Sequence, residues 1–392
     1  MKELSVVAQK VQPSPIRQMF NLAAGMDDVI SFTVGEPDFY TPQHIVDAAV
    51  DALEHGAHKY TPNAGILPLR QAIADKIFHS QHLHYDPERN VIVTAGGMEA
   101  LMLTMMCLLD PGDEFILGNP CWTNYSRQIQ ICSAQPRFVN TSAEDGFVFA
   151  PEELEHAITP RTKGFLINSP ANPTGSIANR AQLEQLAQIA VRHDLYVISD
   201  EVYNELVYDG EQPFSIAAVP GMAERTIIIN SFSKTYAMTG WRVGYAAGPE
   251  PVIRNMVKLQ ENVAACVNSA AQFGALAALT QPQTAVQDML AAYTERRALI
   301  LSLFGQIPGL RCFAPQGTFY AFVDISATGM DASTFAMDLL QKSRVIVVPG
   351  DAFGSFGTKY VRLSFATSVE NIREGLARIK DYMLSQGFSV PA

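Results

Sequence analysis

The sequence predicts an α/β fold in which a mostly parallel sheet is covered by helices on both faces. Short and almost continuously apolar segments alternate with segments whose apolar residues recur at helical spacing, which is the pattern of a buried parallel sheet. The 392 residues are 48% hydrophobic and 17% charged, as in globular proteins with a sizeable core. Because single cores stop growing near ~250–300 residues, we expect a large domain at 31–284 and a smaller α+β domain made of 1–30 and 285–392.

The predicted elements can be placed in order along the chain. Residues 1–30 form a weakly helical arm interrupted by Pro13 and Pro15, and the alternation in Ile30–Val34 predicts a first strand. In the large domain, periodicity and turn residues predict helices at 43–55, 67–79, 98–109 and 180–193, and strands at 91–94, 114–117, 164–168, 195–199, 226–230 and 242–247. In the smaller domain they predict a long charged helix at 285–304, strands at 319–323, 345–348 and 360–365, and a terminal helix at 369–386.

Composition and charge argue against several classes of function. The net charge is −11 and no basic stripe is present, which disfavours binding to nucleic acid or to an anionic membrane. The five scattered cysteines form no CxxC pair and are expected to be reduced thiols of a cytoplasmic protein. No apolar run suggests a secretory signal or a membrane helix. His79, His82 and His84 lack a carboxylate or cysteine framework, so no metal site is expected.

Unusual polar residues follow four of the predicted strands. In chain order these groups are Gly96-Gly97, Asn172-Pro173-Thr174-Gly175, Asp200-Glu201-Val202-Tyr203 and Ser231-Phe232-Ser233-Lys234. Taken singly, each has a structural explanation, namely a turn, a helix N-cap at Asp200 or a solvated lysine. Ligands of open α/β sheets bind beyond the carboxyl ends of the strands, so parallel strands would bring all four groups to one edge. Four accidents at one edge are improbable, and we interpret the groups as one site.

The chemistry of this set fits a cofactor that is held through a Schiff base and carries a phosphate. Lys234 supplies an amine and Asp200 a carboxylate, while the backbone N–H groups of Gly96-Gly97, where a helix begins, can bind an anion. Arg242, eight residues beyond Lys234, adds a cation. Pyridoxal phosphate needs a lysine for its aldehyde, a carboxylate for its ring nitrogen and several donors for its phosphate, and it fits all of these groups.

The sequence also resembles a known family, the class I/II aminotransferases of pyridoxal-phosphate fold type I. The resemblance runs from about Ser31 to Ala366. It is carried by Ser231-Phe232-Ser233-Lys234 with Arg242 eight residues on, and by Asn172-Pro173-Thr174-Gly175 ahead of Asp200-Glu201-Val202-Tyr203. It implies a seven-stranded type of sheet, pyridoxal 5'-phosphate as cofactor, and ping-pong transfer of an amino group from an L-amino acid to a 2-oxo acid, with 2-oxoglutarate as the expected acceptor.

The resemblance also implies roles for individual residues. Lys234 would form the Schiff base and move the proton, Asp200 would pair with the ring nitrogen, and Asn172 and Tyr203 would bind the phenolic oxygen. Trp122 would stack on the ring, its alternative being a place in the core. The residues implied to hold the phosphate are Ser231, Ser233, Arg242, the backbone of Gly96, Gly97 and Met98, and Tyr60 reaching over from a partner subunit.

Substrate binding and assembly are implied in the same way. Tyr60 in the partner's site would make the protein a homodimer with shared active sites; an ordinary loop position is its alternative. Arg362, helped by Gly35 and Asn172, would bind the substrate carboxylate, and strand alternation places it on the face opposite Val361 and Leu363.

The reaction class and the substrate leave alternatives open. A β-C–S lyase on the same scaffold is one alternative, and a ligand-sensing relative without turnover is another, although no basic helix accompanies the match. No second lysine or arginine can be placed for a distal carboxylate. The apolar surroundings of Met98 favour alanine, aromatic or other neutral amino acids over aspartate.

Overall fold

A seven-stranded sheet forms the centre of the structure, a computed structural model that describes residues 2–11, 19 and 25–389. With elements numbered along the chain, the strands follow one another across the sheet as β2 (Val91–Thr94), β8 (Gly244–Ala247), β7 (Thr226–Ser231), β6 (Tyr196–Asp200), β5 (Thr162–Asn168), β3 (Glu114–Asn119) and β4 (Gln135–Asn140). The strands from β7 to β4 are parallel, whereas β8 runs antiparallel to both of its neighbours. The predicted α/β fold with a mostly parallel sheet is confirmed.

Helices pack on both faces of this sheet because its strands are apolar on both sides. In β7, Ile227 and Ile229 belong to a core cluster with Leu101, whereas Ile228 between them belongs to a cluster with Ile73. Successive side chains of a strand point to opposite faces, so a continuous apolar run marks a strand that is covered twice. The helices in this part of the chain are α2 (Gln43–Glu54), α3 (Leu67–Gln81), α4 (Gly97–Leu108), α5 (Thr123–Ile131), α6 (Pro151–Ala157), α7 (Arg180–Arg192), α8 (Glu250–Val263) and α9 (Ser269–Thr280).

The C-terminal part contains a separate sheet and core. Its strands lie in the order β12 (Val348–Pro349), β13 (Tyr360–Ser364), β10 (Tyr320–Asp324) and β9 (Arg311–Phe313), and all pairings are antiparallel. The helices here are α10 (Thr284–Phe304), α11 (Ala332–Ser343) and α12 (Val369–Ser385). Near the N-terminus, β1 (Ile30–Ser31) pairs in parallel with β11 (Val345–Ile346), and a short helix α1 covers Val6–Lys10. The division into domains at 31–284 and at 1–30 with 285–392 stays a prediction.

Several predicted elements differ from the observed ones. The strand predicted at 242–247 begins only at Gly244, because Arg242 ends a 3-10 turn with a left-handed φ of 53°. The strand predicted at 345–348 is two short strands, and that at 30–34 covers Ile30–Ser31 alone. Residues 1, 12–18 and 20–24 of the arm interrupted by Pro13 and Pro15 lie outside the described residues.

Other elements had no prediction at all. Helix α9 is alanine-rich and largely buried, so it has little amphipathic periodicity, and its start is marked by the Asn268 side chain, which accepts a hydrogen bond from Ala271 N. Strand β4 lies at the edge of the sheet and exposes polar residues. Helices α5, α6, α8 and α11 and strand β9 are likewise additions from the structure.

Candidate active site

The strand ends singled out in the sequence meet at one edge of the central sheet. Strands β5, β6 and β7 are parallel, and β2 shares their direction because both β2 and β7 are antiparallel to β8. Their carboxyl ends open into a cavity of about 390 Å³. Its walls contain every predicted site residue except Gly96 and Tyr60, namely Gly35, Gly97, Met98, Trp122, Asn172, Asp200, Tyr203, Ser231, Ser233, Lys234, Arg242 and Arg362.

Lys234 stands three residues after the end of β7 and points its amine into the cavity. The amine donates a hydrogen bond to the carbonyl oxygen of Gly35, so this backbone contacts the lysine. Burial lowers the pKa of Lys234 to about 8, with the positive charges of Arg362 and Arg242 acting in the same direction and the Glu36 carboxylate acting against them. A lysine with a lowered pKa has a larger neutral fraction and is a better nucleophile and base.

Asp200 is the last residue of β6 and lines the cavity. Turns rather than a helix follow it, so the N-cap alternative is wrong. Its side chain accepts hydrogen bonds from Tyr125 Oη at 2.6 Å and from Val202 N at 3.3 Å. Burial raises the pKa of Asp200 to about 6, although Tyr125, Val202 and the charge of Lys234 each favour the ionised form. A bound cation would find a buried and already oriented carboxylate here.

Tyr125 is a site residue that the sequence reasoning missed. It is buried in helix α5, and its ring meets the half-buried Trp122 edge to face with a centroid distance of 5.3 Å. The signal was available, since the spacing of three residues between Trp122 and Tyr125 places both on one side of a helix start.

Several groups that can bind an anion lie close together where helix α4 begins. Gly96 precedes the helix with a φ of 79°, and a Cβ at this position would collide with the guanidinium of Arg242. The hydroxyls of Ser231 and Ser233 lie 2.9 Å apart beside it. Arg242 Nη1 donates to the carbonyl oxygen of Thr239 at 2.9 Å. Backbone N–H groups of a helix start, two hydroxyls and a guanidinium together suit a phosphate-sized anion.

Arg362 enters the cavity from strand β13 of the C-terminal sheet and is 1% exposed. Its Nη1 donates to Asn172 Oδ1 and its Nη2 to the carbonyl oxygen of Thr33, both at 3.0 Å. The guanidinium also lies over the ring of Tyr320, 4.2 Å from the centroid. Its Nε is buried and has no hydrogen-bond partner within the described residues. A buried unsatisfied donor of this kind is expected where an anionic ligand binds.

Tyr203 and Tyr320 complete the wall beside Arg362. Their hydroxyls lie 3.1 Å apart, and both side chains are buried. Tyr320 was not predicted as a site residue. It comes from β10, which pairs with β13, and only that pairing brings it beside Arg362.

The remaining wall of the cavity is largely apolar. Met98, in the first turn of α4, is 37% exposed, and Trp122, Leu101 and Val202 lie nearby in the lining. Among the described residues, the lysines and arginines that line the cavity are Lys234, Arg242 and Arg362. The Glu36 carboxylate also lies in the wall and accepts a hydrogen bond from Thr239 Oγ1 at 2.8 Å.

Tyr60 lies outside this cavity. Its side chain is 89% exposed on a surface formed with His58, Lys59 and Asn268. Among the described residues, no group of histidine, cysteine and acidic side chains is arranged to hold a metal ion, and no helix is long and apolar enough to cross a bilayer.

Comparison with known proteins places the chain in a family. Residues 27–379 match the family model described as aminotransferase class I and II. An aspartate aminotransferase of Pyrococcus abyssi is 42% identical over 94% of this chain and 95% of its own length. An aromatic-amino-acid aminotransferase of Thermococcus litoralis is 40% identical over 96% and 97%. The solved structure of Thermus thermophilus aspartate aminotransferase with maleate superposes with a TM-score of 0.92 at 40% identity and covers 97% of this chain and 100% of that one. The chain therefore belongs to the class I and II aminotransferases and is a pyridoxal-phosphate-dependent transaminase.

Proposed function

We propose that this transaminase takes its amino group from neutral L-amino acids and passes it to a 2-oxo acid, with 2-oxoglutarate as acceptor. The composition of the cavity carries the proposal. In this proposal two of its three basic side chains, Lys234 and Arg242, serve the cofactor, and the third, Arg362, binds the α-carboxylate. The wall around Met98 is apolar. A substrate side chain with a carboxylate would be desolvated against that wall without a described partner, whereas an apolar one would gain contact area.

The residues around the cavity fit pyridoxal phosphate. Ser231, Ser233, Arg242 and the start of helix α4 supply the donors that its phosphate requires. Asp200, already oriented by Tyr125, suits its ring nitrogen. Asn172 and Tyr203 suit its phenolic oxygen and Trp122 its ring face, all of them in the cavity wall. When bound, the cofactor supplies an electron sink for the carbanion that forms at the substrate Cα.

Lys234 holds and moves the proton in this proposal. Its pKa of about 8 lets the amine accept the Cα proton and return it near neutral pH. The hydrogen bond to the Gly35 carbonyl oxygen fixes one position of the amine, and a flexible four-carbon stem lets it leave that position.

Arg362 orients the substrate by its carboxylate. The carboxylate can take a bidentate position on the guanidinium, for which the unsatisfied Nε supplies a donor. Because Asn172 Oδ1 accepts from Arg362, the amide N–H groups of Asn172 point elsewhere and can also donate to a ligand. Both residues thereby restrict the substrate to one orientation, with its Cα–H bond toward Lys234.

We propose further that the protein is a homodimer in which Tyr60 serves the partner's cofactor phosphate. Two observations support it, namely the near-complete exposure of this tyrosine and its position outside the cavity of its own chain. A phenol hydroxyl is a suitable donor to phosphate, and an interface would bury its ring.

Replacing Tyr125 by phenylalanine is expected to move the acidic limb of the kcat/KM profile to higher pH. The hydrogen bond from Tyr125 favours ionised Asp200, so its loss raises the pKa of Asp200 above about 6. Activity that requires the carboxylate is then lost at a higher pH as the solution is acidified. The loss of one hydrogen bond to a charged group, about 1.5–3 kcal/mol, corresponds to a move of about one to two pH units.

The matched control is Tyr382→Phe, which removes a similar hydrogen bond of 2.7 Å to Asp338, on helix α11. The profile of this control should coincide with that of the wild type. An unchanged acidic limb in Tyr125→Phe would contradict the role given to Asp200.

The substrate proposal predicts the outcome of a screen of single half-reactions. Mixing the enzyme with each amino acid and following the cofactor absorbance should show faster conversion by phenylalanine or leucine than by aspartate, by about tenfold or more, because an unpaired desolvated carboxylate costs about 1–3 kcal/mol. Met98→Lys should raise the relative rate with aspartate, since it adds a cation to the wall. Met98→Leu keeps the wall apolar and serves as its control.

The same preparations separate transamination from lyase chemistry. Transamination yields one oxo acid for every amino acid formed from 2-oxoglutarate, whereas a β-C–S lyase releases pyruvate and ammonia without an acceptor. A strong and exclusive response of the wild type to aspartate would overturn the substrate assignment and leave the transaminase assignment intact.

A further inference from the structure

A lysine outside the cavity connects the two loops that carry its main catalytic groups. Lys76, on helix α3, pairs through its Nζ with Glu205 Oε1 at 2.9 Å. The same Nζ lies 3.4 Å from Tyr236 Oη and 5.5 Å from the centroid of the Tyr236 ring. These contacts link segments that are 129 and 160 residues away from Lys76 in the sequence.

The two partners of Lys76 occupy equivalent places in the active-site loops. Glu205 lies two residues beyond Tyr203, in the loop that leaves β6 after Asp200. Tyr236 lies two residues beyond Lys234, in the loop that leaves the neighbouring strand β7. A single ammonium therefore contacts both loops, one of which follows Asp200 while the other contains Lys234.

Among the described residues, no backbone hydrogen bond joins the loop around Glu205 to the loop around Tyr236, although each is bonded elsewhere: the carbonyl oxygen of Leu206 accepts from Thr318 N and that of Ala237 from Thr41 Oγ1. Leu206 N donates to the carbonyl oxygen of Tyr203, and Tyr236 N donates to that of Phe232. Because none of these bonds joins the two loops to each other here, the contact of Lys76 with both loops has a positional effect beyond its own energy.

The surroundings of Lys76 differ from those of an ion pair on the protein surface. The Lys76 side chain is 22% exposed and that of Glu205 39%, and Tyr236 is buried. Exposed ion pairs contribute little to stability, but partial burial and the aromatic face of Tyr236 strengthen the attraction and fix its geometry. Lys76 does not line the cavity, and its effect on the reaction must be transmitted through the loops.

We propose that Lys76 is a positioning residue, which holds the loops of Asp200–Glu205 and Lys234–Tyr236 at the separation that transamination requires. This inference rests on the proposed roles of Asp200 and Lys234. When Lys76 is removed, the loops separate and the Lys234 nitrogen becomes more hydrated. The protonated form of this nitrogen is then favoured. The alignment for proton transfer is impaired, whereas substrate binding changes little.

The experiment compares two lysines with similar contacts, using the enzyme with its bound cofactor. Lys342 pairs with Asp338 at 2.9 Å and lies 6.0 Å from the ring centroid of Tyr382, in helix α11 far along the chain from the active-site loops. Lys76→Met and Lys342→Met each remove one ammonium and keep an apolar stem. Glu205→Gln removes the charge of the partner with a smaller change in shape.

Two readouts distinguish positioning from a merely structural role. The first is the pH titration of the cofactor absorbance, which reports protonation of the Lys234 nitrogen, and the second is the separate determination of kcat and KM. In Lys76→Met the midpoint of the titration should rise by about half a pH unit or more. Its kcat should fall by about three- to tenfold with KM nearly unchanged, which is below the ~100-fold cost of a 1 Å misplacement. Glu205→Gln should likewise raise the titration midpoint and lower kcat. Lys342→Met should change neither quantity.

The outcomes separate this inference from the proposed function. The inference is overturned if Lys76→Met has the titration midpoint and the kcat of the wild type. It is also overturned if Lys342→Met changes both quantities as much as Lys76→Met does. If Lys76→Met does not fold, Glu205→Gln decides by the same two readouts. Should the wild type prefer aspartate over neutral amino acids, the titration would still decide whether Lys76 positions Lys234, because that readout does not depend on turnover.

Discussion

Lys234→Ala is expected to lower kcat by at least about 10⁴-fold, the upper end of what a positioned general base contributes. The described cavity wall holds no other lysine, and its two arginines stay protonated and cannot accept the Cα proton. The absorbance that depends on the link between Lys234 and the cofactor should disappear as well. Steady-state assays with 2-oxoglutarate and an absorbance spectrum measure both.

Two controls accompany this variant. A small primary amine added to Lys234→Ala should restore part of the turnover, because it can occupy the space of the lost side chain and carry the proton. Lys342→Ala, which removes a lysine of helix α11, should behave like the wild type. Turnover of Lys234→Ala within tenfold of the wild type would rule out the assigned role.

The same variant tests whether the active sites are shared between subunits. Tyr60→Ala and Lys234→Ala are each expected to be impaired. When the two chains are mixed and allowed to exchange subunits, one site of each hybrid dimer combines an intact Lys234 with the partner's intact tyrosine, and activity should return. If mixing restores no activity although hybrids form, Tyr60 does not act across the interface.

Arg362→Lys is expected to lower kcat/KM for amino acids by about thirtyfold or more, equivalent to about 2 kcal/mol. Lysine keeps the charge but cannot reproduce the planar fork that reaches Asn172 Oδ1, the Thr33 carbonyl oxygen and a substrate carboxylate at once. Binding of the cofactor should be unaffected, since Arg362 lies at the substrate end of the cavity in our proposal.

A matched replacement elsewhere on the same sheet separates this effect from a general loss of stability. Arg311→Lys alters an exposed residue of β9, whose guanidinium packs over Phe313. It should leave kcat/KM unchanged. Amines that lack a carboxylate provide a second comparison, because the difference between wild type and Arg362→Lys should disappear for them. An equal loss for substrates with and without the carboxylate would contradict the assignment.

The sequence alone determined that the chain forms a mostly parallel sheet covered on both faces, and approximately where the strands that precede the site residues end. Apolar runs such as Ile227–Ile229 must be covered on two sides, and the breaks after them place Asp200, Asn172 and Lys234 at one edge. This worked because burial of strands and the chemistry of a carboxylate, an amide and an amine are both local properties. The family resemblance added roles to these residues, and the relatives at about 40% identity agree with the family.

Tertiary structure decided which groups act on the residues that the sequence had identified. Tyr125 reaches Asp200 from a helix 75 residues away, and Tyr320 reaches Arg362 only because β10 and β13 pair. Arg242 has a left-handed backbone, and its guanidinium lies where a Cβ at Gly96 would be; strand periodicity predicts neither feature. In the sequence, Lys76 resembles any exposed lysine of a helix. Only the folded chain places it against two loops. Contacts of this kind join segments that share no periodicity or motif, and only the packed chain defines them.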